Sequence, residues 1–141
     1  MIVADASLLS NAVGDDGPAG AAARHELEVD PAVAIPDFAD VEVLSVLRKR
    51  WRAGELSEAR CKDALQDLMA LPFPRYPASQ LLARAFELRN TVSACDAVYV
   101  ALAELLGATL VTLDARLSRA PGIRCAVRVL QSLKASRSGQ P

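Results

Sequence analysis

Only one histidine, His25, occurs among the 141 residues. It lies in GPAGAAARHELEVD, an alanine-rich stretch that reads as an ordinary surface helix. A Ser-His-Asp triad would have to use it, and nothing around it favours that. The three cysteines, Cys61, Cys95 and Cys125, are far apart and odd in number, and no CxxC pair exists. This argues against a disulfide framework or a structural zinc site, and buried thiols in a reducing compartment are the expectation. Long apolar runs are also missing. The longest, residues 97–111, is broken by Glu104 and Gly107 and falls short of the roughly 18 residues of a membrane span. The start, MIVADAS, lacks a basic n-region and reads as a strand, not a signal peptide. A cytoplasmic protein without membrane association is therefore expected. There is no GxxxxGK[ST] loop and no GxGxxG fingerprint, so nucleotide binding has no support. Nor is there an excess of basic charge: the net charge is -1. Any contact with nucleic acid must come from local patches and a metal.

What remains is an apolar chain, 52% hydrophobic, long enough for one domain with a real core. Met1 to Ala4 is a short buried strand ending at Asp5, and Ser7 is placed to cap the helix that follows. Pro18 suits the first turn of a second helix, running to about Val29. Ala32 to Ile35 reads as the second strand. A long helix runs from Asp37 to about Ala53, and Ser57 caps the next, which ends before Pro72. Phe73 to Tyr76, trapped between prolines, predicts a short edge strand. A helix over 79–89 follows, then one from Ser93 to Gly107, a strand Thr109 to Thr112, and a last strand Cys125 to Leu130. Residues 131–141 form a polar tail after a domain of residues 1–130. Strands alternating with helices imply parallel pairing and a three-layer α/β sandwich.

Four acids fall at informative places. In open parallel sheets, ligands bind beyond the carboxyl ends of the strands. Asp5 and Asp114 occupy two such ends. Either alone reads equally as a turn or cap residue. Asp96 sits in the first turn of an apolar helix, where an anion is favoured by the macrodipole. That helix should be largely buried, so its carboxylate needs a partner. Glu42 opens a polar strip on the long helix, with Ser45, Lys49 and Arg52. The apolar stripe of the same helix is read as Val41, Leu44, Leu47 and Trp51, and Asp37 and Asp40 are read as caps. The strip is either an ordinary solvated face or the path of an anionic polymer past Glu42. Four close carboxylates repel one another unless a hard divalent cation joins them. Such a site hydrolyses phosphodiesters with metal-activated water and needs no side-chain nucleophile.

VADAS, DVEVLS near 40, ACDAVYVALAE near 96 and TLDARL near 112 resemble, in order and spacing, a PIN domain, and more closely a VapC-type toxin of a bacterial toxin–antitoxin pair. The resemblance covers about residues 1 to 130. It implies a five-stranded parallel sheet, order 3-2-1-4-5, flanked by helices. It implies a Mg²⁺-dependent endoribonuclease, with Mn²⁺ as a plausible substitute, whose metal-site positions fall on Asp5, Glu42, Asp96 and Asp114. Ser7 and Thr112 match the small hydroxyl residues beside those acids. Cys95 stands where an aromatic is usual. The resemblance further implies RNA as substrate, a homodimer, and a small cognate antitoxin. Lys49, Arg52 and Arg116 are candidate RNA or antitoxin contacts, and equally plain surface cations.

Two other readings compete. One is a different metal-dependent phosphoryl-transfer or receiver domain, but Asp5-Ala6-Ser7 lacks the Asp-x-Asp of the dehalogenase type. The other is a catalytically silent PIN-like scaffold acting through protein contacts, against which the presence of all four acids argues.

Overall fold

The computed structural model describes residues 1–131. The polar tail, beyond Gln131, lies outside the described residues. In chain order the elements are β1 (Ile2–Ala4), α1 (Ala6–Gly14), α2 (Pro18–Val29), β2 (Val33–Pro36), α3 (Ala39–Arg52), α4 (Glu58–Ala70), β3 (Arg75–Tyr76), a 3₁₀ turn (Ala78–Leu81), α5 (Leu82–Glu87), α6 (Ala94–Leu106), β4 (Thr109–Thr112), a second 3₁₀ turn (Ala115–Arg119) and β5 (Val127–Val129). The five strands form one parallel sheet in the order β3-β2-β1-β4-β5. Helical crossovers make parallel pairing possible. The order reverses beside β1, which places a crevice at the carboxyl ends of β1 and β4.

The central strands are buried throughout, as their unbroken apolar sequences IVA and VAIP require. α6 packs over β1, β2 and β4 and against α5. α1 packs with α2, α3 and α4. Residues 97–103 of α6 are all buried. Ser93 caps this helix by accepting from the Asp96 amide at 3.2 Å. Gly107 ends it in the left-handed region at φ 61°, where a side chain would be strained. Gly20 answers a different need. A Cβ there would lie 1.8 Å from the Asp15 carbonyl oxygen, so only glycine lets α2 cross the end of α1 so closely.

Three arginines fasten the C-terminal end of α1. Arg24 donates to the Ala12 and Asp15 carbonyls at 3.0 and 2.9 Å. Arg50 donates to that of Gly14 at 3.0 Å, and Arg60 to that of Val13 at 2.9 Å. They satisfy the carbonyls a helix end leaves open and complement its negative pole. The edge strand is held in a similar way. Arg75 pairs with Asp40 at 2.8 Å and donates to the carbonyls of Leu68, Leu71 and Phe73.

Several sequence expectations give way here. The cap of α1 is Asp5, not Ser7. Asp37 and Asp40 do not cap α3, which starts at Ala39 behind Phe38. Asp37 accepts instead from the Ala78 amide, and Asp40 serves Arg75. The buried face of α3 is Ala39, Val43 and Leu47. Val41 is 66% exposed, Leu44 46% and Trp51 51%, so of the stripe read from hydropathy only Leu47 faces inward. Both stripes have helical spacing and share Leu47; α3 packs against α1 and α4, and that contact buries Ala39 and Val43. The helix over 79–89 divides into a 3₁₀ turn and α5, and β3 and β5 are shorter than expected. The thiols are not buried: Cys95 is exposed and the other two half-buried.

Candidate active site

The register of β1 and β4 builds the site. Ile2, Val3 and Ala4 pair with Thr109, Leu110 and Val111. The next step along each strand brings Asp5 level with Thr112. Asp5 is extended, at φ −84° and ψ 172°, and its carboxylate faces the start of α1. It accepts from the Leu8 amide at 3.1 Å, from the Ser7 hydroxyl at 2.6 Å and from the Thr112 hydroxyl. Asp5 is nonetheless buried. Burial pushes its carboxyl above the ordinary range, the three hydrogen bonds work against that, and the charge of Asp96 pushes it further up.

The two hydroxyls do the same job from opposite sides. Ser7 Oγ accepts from the Leu113 amide at 3.1 Å and donates to Asp5. Thr112 Oγ1 accepts from the Asp114 amide at 3.0 Å and donates to Asp5. Each hydroxyl is thereby locked as a donor to the carboxylate, and the chain leaving β4 is laced to the chain leaving β1.

Asp96 comes to this point from the first turn of α6. Among the described residues its carboxylate has no ion-pair or hydrogen-bond partner, although it lies within electrostatic reach of Asp5. One helical turn on, Tyr99 donates its hydroxyl to Glu42 Oε2 at 2.6 Å. Tyr99 is fully buried and its ring lies 5.2 Å from that of Phe38, tilted by 56°. Glu42 is thus drawn toward α6 from α3. Burial first, and Glu42 second, push the Tyr99 phenol well above its ordinary range, so it stays a donor. Tyr99, which holds Glu42, is the candidate-site position that sequence reasoning missed. Its spacing of three from Asp96 on a helix was the available signal. Cys95 lies beside Glu42.

Asp114 is the start of the 3₁₀ turn and accepts from the Arg116 amide at 2.9 Å. The Arg116 guanidinium also grips it, with Nε at 3.1 Å and Nη2 at 2.9 Å. This pairing holds the Asp114 carboxyl below the ordinary carboxylate range. Asp96, Asp114 and Arg116 line one hollow of about 210 Å³, floored by Leu117 and bounded by Ser93.

The structure therefore brings Asp5 to Asp96, and Asp96 to Asp114, with Glu42 tied in through Tyr99. Among the described residues, no three acid, cysteine or histidine side chains are gathered into a finished metal cage. The hydrogen bonds explain why: Asp5 is held by hydroxyls, Glu42 by Tyr99 and Asp114 by Arg116. The donor set still suits a hard divalent cation. It is all oxygen, it contains a carboxylate with no partner among the described residues within electrostatic reach of a buried one, and Mg²⁺ keeps several waters and takes few protein ligands. Lys49 and Arg52 are exposed and have no ion pair among the described residues. Glu104, eight residues beyond Asp96 on α6, is engaged elsewhere, with Arg84.

A parallel 3-2-1-4-5 sheet with acids beyond β1 and β4 and on the intervening helix defines a class, the PIN domain, whose profile matches residues 2–123. Ribonuclease VapC9 of Mycobacterium tuberculosis is 38% identical over 130 residues, 92% of this chain and 98% of the relative. Ribonuclease VapC3 of the same species is 40% identical over 119 residues, 84% and 86% of the two chains. The chain belongs to the PIN-domain family, and within it to the VapC ribonucleases. Solved structures share the fold. M. tuberculosis VapC20, described as a toxin that cleaves the sarcin–ricin loop, has a TM-score of 0.67 at 16% identity, covering 88% of this chain and 97% of its own. A toxin–antitoxin complex from Klebsiella pneumoniae has a TM-score of 0.62 at 23% identity, covering 94% of this chain and 100% of the matched one. Among the described residues no helix is long and apolar enough to cross a membrane.

Proposed function

We propose that this protein is the toxin of a toxin–antitoxin pair, an endoribonuclease that hydrolyses RNA phosphodiester bonds. Its cofactor is a divalent cation, Mg²⁺ or Mn²⁺, at Asp5, Asp96 and Asp114, with Glu42 acting directly or through water. The observation that carries this reading is Asp5: a carboxylate buried at the end of β1, held by two hydroxyls, and within electrostatic reach of Asp96, which has no cation partner among the described residues. Burying one anion against another is costly, and a cation from outside the chain removes the cost. When bound, that cation activates water and stabilises charge on the phosphate oxygens.

The chain's own residues do the rest. Ser7 and Thr112 fix the orientation of Asp5. Tyr99 fixes Glu42. Arg116, at the rim of the hollow, and Lys49 and Arg52 along α3 meet the phosphates of the RNA. No histidine or cysteine nucleophile is called for. Protein partners are supported by an apolar hollow of about 770 Å³ that borders the site at Ser93 and Cys95. Leu82 and Phe86 stand exposed beside it. A second copy of the chain and an antitoxin peptide that blocks the site are the occupants implied by the family. An RNA substrate places the protein in the cytoplasm.

The test is cleavage of single-stranded or transfer RNA by antitoxin-free protein, with Mg²⁺ or with a chelator. Chelation should abolish cleavage. Asp5→Asn and Asp96→Asn should each lower the rate by about a hundredfold or more, beyond what loss of a supporting residue costs. Undiminished cleavage by either variant would overturn the assignment, and wild type that binds a partner but never cleaves would favour the silent scaffold.

A further inference from the structure

Arg116 differs from every other basic residue near the site. Its side chain is 87% exposed, and its only hydrogen-bond or ion-pair partner among the described residues is Asp114. Three contacts converge on that carboxylate: the Arg116 amide and Nε on Oδ1, and Nη2 on Oδ2. Both carboxylate oxygens are covered. The guanidinium lies on the wall of the hollow that also holds Asp96, close enough to feel its charge. We infer that Arg116 is the resident counter-ion of Asp114, which a divalent cation must displace, so that this one side chain sets how readily the site loads. The inference rests on the metal-site reading given above.

A guanidinium does not lose its charge at any accessible pH. Asp114 can be freed only if the side chain swings away. An exposed ion pair is weak, so the swing is cheap. The amide contact does not move with the side chain, so Asp114 keeps its direction while its outer face opens. Paired with Asp114, Arg116 neutralises one of the acids at this end of the sheet. In the loaded state it would sit at the rim with its charge unspent, where an RNA phosphate arrives. Lys49 and Arg52 have no such carboxylate to leave and do not act this way.

Calorimetric titration of the full chain with Mn²⁺ tests this without reference to cleavage. Arg116→Gln should bind Mn²⁺ roughly three- to tenfold tighter than wild type, the range expected when a weak competing ion pair and one like charge are removed. In ¹⁵N spectra of the wild type, the Arg116 Nε–H signal should shift on titration with Mg²⁺ as its bond to Asp114 is lost. Equal or weaker Mn²⁺ binding by Arg116→Gln, or a stationary Nε–H signal at saturation, would overturn the inference. Asp5→Asn separates this from failure of the site itself. If it binds Mn²⁺ as well as wild type, the metal-site reading falls. If it loses binding while Arg116→Gln gains none, only the role of Arg116 falls.

Discussion

The Thr112 hydroxyl donates to the Asp5 carboxylate across the seam between β4 and β1, from 107 residues away in the chain. The same oxygen accepts from the Asp114 amide. One side chain thus fixes a buried acid on one strand and the direction of the chain carrying a second acid.

Replacing Thr112 by Val keeps the shape and removes both bonds. Asp5 then holds a buried oxygen without a partner, which costs about 1–3 kcal/mol. Thr112→Val should unfold at lower urea concentration by that amount and lose most RNA cleavage. Thr112→Ser, which keeps the hydroxyl, should recover the cleavage. A Val variant as stable and active as wild type would show that the bond is incidental.

Asp5→Asn should separate stability from activity. The carboxylate is held at the expense of burial, and an amide keeps an acceptor for Ser7 and Leu8 without the charge, while its NH₂ group donates to the second lone pair of Thr112 Oγ1. In the absence of metal, Asp5→Asn should be more stable by on the order of 1 kcal/mol, a rise in Tm of roughly 3–5 °C, while cleavage is lost. A lower Tm in thermal melts would contradict this account of the buried charge.

Glu104 gives a pH dependence away from the acids of the candidate site. It accepts from Arg84 Nε at 2.7 Å, from Arg84 Nη2 at 3.0 Å and from the Arg124 amide at 2.8 Å. The Arg84 hydrogen bonds hold its carboxyl below the ordinary value of 4.5. A group whose folded pKa is depressed stabilises the protein above its unfolded pKa, and that contribution is lost as pH falls below 4.5 through the folded value. Glu104→Gln should cost about 1.5–3 kcal/mol at pH 7, the worth of hydrogen bonds to a charged group. The gap from wild type should narrow as the pH is lowered from 5 to 3 in urea titrations. A constant gap would place the stabilisation outside the charge.

Lys49→Ala and Arg52→Ala should weaken RNA binding at low salt. Each should also reduce the salt slope by about 0.7, as expected for one lost contact to single-stranded phosphate. Measuring affinity between about 50 and 200 mM salt checks this. An unchanged slope would return both residues to an ordinary solvated face.

Much of this protein is determined by local sequence. Gly107 must end α6 because its backbone is left-handed. Ser93 caps that helix because its hydroxyl reaches the Asp96 amide. The apolar runs Met1 to Ala4 and Ala32 to Ile35 read as buried strands, helical crossovers imply parallel pairing, and the 3-2-1-4-5 order came with the resemblance carried by four short motifs. Tertiary structure decided what periodicity alone leaves degenerate. Two stripes on α3 have helical spacing and share Leu47, and only packing against α1 and α4 selected Ala39 and Val43 over Val41, Leu44 and Trp51. Which partner each acid takes was likewise invisible in the sequence, although the resemblance marks Ser7 and Thr112 as hydroxyls beside the acids. Tyr99 for Glu42 and Thr112 for Asp5 are set by strand register and helix docking over 57 and 107 residues. A sequence places acids at the ends of elements; only the fold decides which charge each of them faces.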